Sequence, residues 1–117
     1  MKETICFDID NVICKTTDSN YKKSKPILKN IKTINELYSS GFIIKIFTAR
    51  FMGRNKDNSV AAKKSAKRMT INQLKKWNVN YHKIFFGKPS SDLYIDDKNL
   101  GFKQNWNIQL KKYLKKN

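Results

Sequence analysis

Four short apolar runs constrain this chain more than any other feature: ETICFDI near the N-terminus, FIIKIFT ending at Thr48, KIFF at 83–86 and LYID at 93–96. Each is rich in β-branched and aromatic residues and too short for a helix, which is the pattern of strands buried within a sheet. The segments between the first three carry a different period. Pro26 fits a first helical turn, and Ile27, Leu28, Ile31, Ile34, Leu37 and Tyr38 recur at three- and four-residue intervals until Gly41, predicting a helix over 26–40. Ala62, Ala66, Met69, Leu74 and Trp77 can share one face of a second helix over 58–77, after a loop at 51–58. Residues 11–25 read as an exposed loop or small hairpin, and the tail from Asn107 as a last helix burying Ile108, Leu110 and Leu114.

Strand, helix, strand, helix, strand, strand is the order of an open, Rossmann-like α/β parallel sheet with right-handed crossovers. In such sheets ligands gather at the carboxyl ends of the strands. The chemistry-bearing residues fall there: Asp8 and Asp10 after the first strand, Thr48 after the second, Lys88 after the third, Asp96 and Asp97 after the fourth. Four of the nine acidic residues in the chain are thereby expected at one sheet edge. Carboxylates that converge repel one another unless a hard cation sits among them, and oxygen ligands of this kind suit Mg²⁺. A magnesium ion, a lysine and a threonine hydroxyl together make a site for a phosphoryl group. One aspartate can then attack phosphorus while the other transfers protons.

At 117 residues the chain, 1–117, is expected to form one domain. No run is long and apolar enough to span a bilayer, and the N-terminus enters KETICFDID without a basic-then-apolar leader, so a cytoplasmic protein with no membrane contact is expected. Cys6 and Cys14 are expected as reduced thiols, Cys6 in the core and Cys14 in a loop; with His82 the only histidine, zinc is excluded. His82, Trp77 and Trp106 are assigned to structure. The 25 basic residues against 9 acidic give a net charge of +16, and all but Arg50, Arg54 and Arg68 of the basic residues are lysine. Because the lysines are spread along the whole chain rather than interleaved with aromatics, a solvated basic surface is favoured over a dedicated nucleic-acid face.

The ordered motifs FDIDNVI, FTAR, GKP and YIDDK resemble those of the haloacid-dehalogenase-like phosphatases, over nearly the whole chain. The resemblance implies that Asp8 is the nucleophile forming an aspartyl-phosphate and Asp10 the general acid and base whose carbonyl also reaches the metal. It implies that Thr48 and Lys88 hold the phosphoryl group and that Asp97, with Asp96 beside it, completes the magnesium shell. Thr48, Ala49, Arg50, Arg54 and Asn11 form the candidate substrate-binding set, with Arg50 and Arg54 directed at a second anionic or hydroxyl-rich part of the substrate. The commonest family motif has glycine and threonine after the second aspartate, where Asn11 and Val12 stand here. Neither gap between motifs has room for a cap domain, so the resemblance implies an open site, roofed by the 11–25 loop and RFMGRN or closed by homo-oligomerisation. Among such phosphatases the chain looks most like small capsule and surface-polysaccharide enzymes, whose expected substrate is a sugar or polyol phosphate. The alternatives are a polynucleotide 3′-phosphatase, a non-catalytic phosphorylatable switch and a basic nucleic-acid-binding module.

Overall fold

The structure, a computed structural model, describes residues 3–50, 60–87, 93–95 and 106–116. Four strands form one parallel sheet: β1 (Thr4–Asp8), β4 (Ile43–Thr48), β5 (Lys83–Phe86) and β6 (Leu93–Ile95), in the spatial order β5-β4-β1-β6. A separate antiparallel pair, β2 (Cys14–Lys15) and β3 (Lys25–Pro26), makes a small hairpin in the segment after β1. The helices are α1 (Leu28–Ser39), α2 (Val60–Lys76) and α3 (Trp106–Lys116). This is the Rossmann-like α/β arrangement that the alternation of apolar runs and helical periods predicts.

Register explains which strand residues pack together. Ile5 lies beside Ile44 and Leu93, and Phe7 beside Ile46 and Ile95, so one sheet face is apolar across these strands. That face forms a continuous core with Ile31, Ile34 and Leu37 of α1, Leu74 of α2, and Trp106 and Leu110 of α3. The Phe7 ring meets Trp106 at 5.5 Å. On the opposite face, Cys6, Lys45 and Tyr94 share a row, and Phe47 packs edge-on against Tyr94. Leu28 and Ile108, both expected in the core, are 71% and 52% exposed, because each lies on the side of its helix away from the buried face.

Two helix ends are set by residues that tolerate a left-handed backbone. Gly41, at φ 98°, ends α1: its N–H reaches the Tyr38 carbonyl while the Phe42 N–H reaches Leu37, the paired bonds of a Schellman motif. Asn78, at φ 57°, does the same after α2, with Val79 bonding back to Leu74. Phe42 and Val79 are thereby delivered to the core as the chain turns toward the next strand. The start of α1 differs from expectation. Pro26 is the last residue of β3, paired with Cys14, and the Ile27 N–H bonds to the Ile13 carbonyl, so the helix cannot begin until Leu28. Among the described residues no helix is long and apolar enough to cross a membrane.

In this strand order, chain progress from β1 runs through β4 to β5 on one side, and β6 lies on the other side of β1. The reversal makes the carboxyl end of β1 the topological switch point, the position where open α/β sheets bind ligands. Asp8 is the last residue of that strand.

Candidate active site

Past Asp8 the backbone folds sharply back on itself. The N–H groups of Val12, Ile13 and Cys14 all reach the Ile9 carbonyl, and the Asn11 N–H bonds to Cys14 at 2.6 Å. Asn11 occupies the left-handed region at φ 68°, which asparagine tolerates better than other side-chain-bearing residues. The departure from glycine at this position therefore leaves the turn intact. Val12 and Ile13 plug into the core, and the buried Asn30 side chain donates to the Val12 carbonyl at 2.9 Å, tying the turn to α1.

This turn sends Asp8 and Asp10 to different surroundings. The Asp8 carboxylate is partly buried at the strand end, with Oδ1 accepting the Ile9 N–H at 2.7 Å. Asp10 faces a buried cation. Arg50 Nη2 donates to Asp10 Oδ1 at 2.7 Å, and Nε lies 3.0 Å from Oδ2 and 3.2 Å from Oδ1, a two-pronged clamp. Thr16 Oγ1 donates to the same Oδ1 at 2.6 Å and in turn accepts from Ser24 Oγ. Oδ1 is thus crowded with donors, while among the described residues Oδ2 has the Nε contact alone. The Asp10 main-chain carbonyl oxygen accepts no hydrogen bond among the described residues.

Arg50 is the largest fully buried side chain in the molecule as described, with no exposed side-chain surface. Its remaining donors reach Gln73 Oε1 at 2.7 Å and Thr70 Oγ1 at 3.4 Å on α2, and the Tyr21 ring covers its guanidinium at 4.6 Å. Gln73 closes the loop by donating to the Tyr21 carbonyl at 2.6 Å. Arg50, placed by the sequence among the substrate-contacting residues, has its side chain buried in the structure. With its side chain spent on Asp10, the hairpin and α2, it lies beneath the site instead of on its rim.

Thr48 ends β4 one residue past Phe47, the register partner of Asp8, and is 1% exposed. Its hydroxyl oxygen accepts the Arg50 N–H at 3.0 Å, and its hydrogen has no acceptor among the described residues. Ala49 is exposed and Asn11 half-buried. Gly87, at φ 137°, follows β5 and bonds to the Thr48 carbonyl, so the ends of β4 and β5 are held together. Arg54, Lys88, Asp96 and Asp97 lie outside the described residues, and no cluster of three or more metal-binding side chains occurs among those described.

Cys14 is a buried neighbour of this network rather than a plain loop thiol. Its sulfur lies 3.7 Å from both Asp10 Oδ1 and Arg50 Nη2. Burial pushes the thiol above its ordinary value, the Thr16 hydrogen bond opposes that, and the Asp10 charge adds to it. Both cysteines are free. Thr16, Tyr21, Ser24, Thr70 and Gln73 carry no motif and are not identifiable as site residues from sequence. His82 keeps the structural role expected of it, accepting the Ile44 N–H at Nδ1 and stacking on Tyr38.

No family model and no curated protein matches the sequence. Solved structures do. A Vibrio cholerae protein solved as an MCSG target is similar over 97% of this chain and 99% of that one, at 27% identity and a TM-score of 0.65. A D,D-heptose 1,7-bisphosphate phosphatase from B. bronchiseptica, complexed with magnesium and phosphate, is similar over 97% of this chain and 64% of its own, at 14% identity and a TM-score of 0.51. A chain of the Pnkp1/Rnl/Hen1 complex is similar over 86% of this chain and 30% of its own, at 13% identity and a TM-score of 0.52. The chain shares the Rossmann-like α/β fold of these structures.

Proposed function

We propose that this protein is a magnesium-dependent phosphomonoester hydrolase, acting on a sugar or polyol phosphate of surface-polysaccharide synthesis in the cytoplasm. The observation that carries the reading is the pair Asp8 and Asp10 at the carboxyl end of the central strand of a Rossmann-like parallel sheet, one carboxylate at the topological switch point and the other clamped by a buried arginine. In this reading Asp8 attacks phosphorus and forms an aspartyl-phosphate. Asp10 gives a proton to the departing ester oxygen, then takes one from the water that releases phosphate. The Thr48 hydroxyl, with its hydrogen unspent, donates to the phosphoryl oxygens, and Lys88 holds the same group.

The residues present fit a magnesium ion. Asp8, the Asp10 carbonyl, which accepts no hydrogen bond among the described residues, and the carboxylates of Asp97 and Asp96 would supply the all-oxygen ligands such an ion takes. When bound, the ion offsets the negative charge of carboxylates and phosphoryl group brought together. That the heptose bisphosphate phosphatase of the same fold holds magnesium and phosphate supports both assignments.

A second reading, a phosphatase of nucleic-acid 3′ ends, is favoured by the net charge of +16. The experiment is phosphate release from sugar phosphates, nucleotides and 3′-phosphorylated oligonucleotides, with magnesium or EDTA, at low and high salt. Magnesium-dependent release from sugar phosphates, with a Michaelis constant little changed by salt, is expected. Preference for oligonucleotides, with binding that falls by decades as salt rises, would select the second reading, and release unaffected by EDTA would contradict the metal assignment.

A further inference from the structure

Arg50 is buried without exposed side-chain surface, yet it makes three of the hydrogen-bond contacts to the residue assigned proton transfer. We propose that Arg50 is a positioning residue that fixes the Asp10 carboxyl so that Oδ2 is the atom through which protons pass to and from the substrate.

The assignment follows from the unequal loading of the two oxygens. Oδ1 receives Nη2, the longer Nε contact and the Thr16 hydroxyl, which fill its lone-pair directions. Among the described residues Oδ2 receives Nε alone, which leaves a direction open there. A carboxylate on a single bond from the backbone would otherwise rotate about its terminal torsion, which is broad in Asp. Two parallel donors from a planar guanidinium set that torsion. The guanidinium is itself immobilised by Gln73, Thr70 and the Tyr21 ring, so the orientation is transmitted from α2 and the hairpin to Asp10. Lysine, a point charge without a planar fork, cannot reproduce it.

The inference rests on the phosphatase reading and has a signature of its own. In the first step the P–O ester bond breaks as the Asp8–phosphorus bond forms, and the proton on Asp10 Oδ2 moves to the leaving oxygen. In the second, water attacks phosphorus, its proton returns to Oδ2, and Asp8 departs as carboxylate. An alkoxide leaving group needs that first proton, whereas p-nitrophenolate leaves without it. Misplacing Oδ2 therefore slows alkyl phosphates far more than p-nitrophenyl phosphate.

The experiment measures turnover of an alkyl phosphate and of p-nitrophenyl phosphate by wild type, Asp8→Asn, Arg50→Lys, Arg50→Ala with and without added guanidinium, and Arg50→Lys in an Asp10→Ala background. General acid catalysis contributes about 10²- to 10⁴-fold, so Arg50→Lys is expected to lose about 10- to 100-fold on the alkyl ester, and at least about tenfold less on the aryl ester. Guanidinium is expected to restore part of the loss in Arg50→Ala, and Arg50→Lys to add little once Asp10 is alanine, since residues acting as a unit are not additive. Equal losses on both esters, or full additivity with Asp10→Ala, would reduce Arg50 to a structural buttress and overturn the inference alone. If wild type releases no phosphate from either ester, or Asp8→Asn retains activity, the phosphatase reading fails and takes the inference with it.

Discussion

Replacing Arg50 with alanine is expected to destabilise the fold severely, apart from any effect on activity. The side chain has no exposed surface and its partner Asp10 is 23% exposed, so the pair sits close to the buried limit. Breaking a buried ion pair by removing one partner costs about 3–5 kcal/mol, because the other charge is left without compensation. Two features pull the estimate toward the lower end: Asp10 keeps the Thr16 hydroxyl and is partly reached by water. One pulls it up, since Gln73 Oε1 loses a donor at 2.7 Å, worth on the order of 1 kcal/mol when buried. The expected loss is about 3 kcal/mol, which at a urea dependence of about 2 kcal/mol/M moves the unfolding midpoint down by roughly 1.5 M. Equilibrium urea denaturation followed by far-UV circular dichroism measures this directly. A shift equivalent to less than about 1 kcal/mol, the range of exposed ion pairs, would refute the reasoning and place Arg50 in solvent.

Two further predictions follow from the turn and from the buried thiol. Asn11→Gly should leave the melting temperature within about 1–2 °C of wild type, while Asn11→Val should lower it by several degrees, since a left-handed backbone costs a β-branched residue about 1–2 kcal/mol; equal melting temperatures would contradict the positive φ at this position. The Cys14 thiol, pushed up by burial, favours its neutral form in the folded state. Its contribution to stability is therefore complete below the unfolded thiol value of about pH 8.5 and is lost as pH rises from there through the higher folded value. Wild type should accordingly lose more stability than Cys14→Ala between neutral and alkaline pH, and parallel pH profiles would refute the assignment.

The fold was legible in the sequence because its strongest signals are local. ETICFDI and FIIKIFT are each apolar enough to name a strand, and Gly41 marks a helix end that the structure puts at Ser39 and Ser40. Pro26 misled because its fixed φ suits a first helical turn and an edge strand alike, and only the pairing with Cys14, twelve positions away in the chain, decides between them. In the candidate site, Asp8, Asp10 and Thr48 are proposed from their place after apolar runs. The role of Arg50 is not. Position just beyond Thr48 suggests a substrate contact, whereas its burial depends on Tyr21, Thr70 and Gln73, which arrive from a hairpin and a helix remote in sequence. Cys14 was similarly hidden, since nothing in CKTTDSN announces that its sulfur lies against a carboxylate and a guanidinium.

The most direct test of the central claim is to incubate the protein with a phosphate ester and magnesium, quench with borohydride and map the modified peptide. Borohydride reduces an acyl phosphate to an alcohol, so the account predicts that the Asp8 side chain, and no other, is converted to that of homoserine, only when substrate is present. Reduction at Asp10 or elsewhere, or steady turnover with Asp8 left intact, would contradict it.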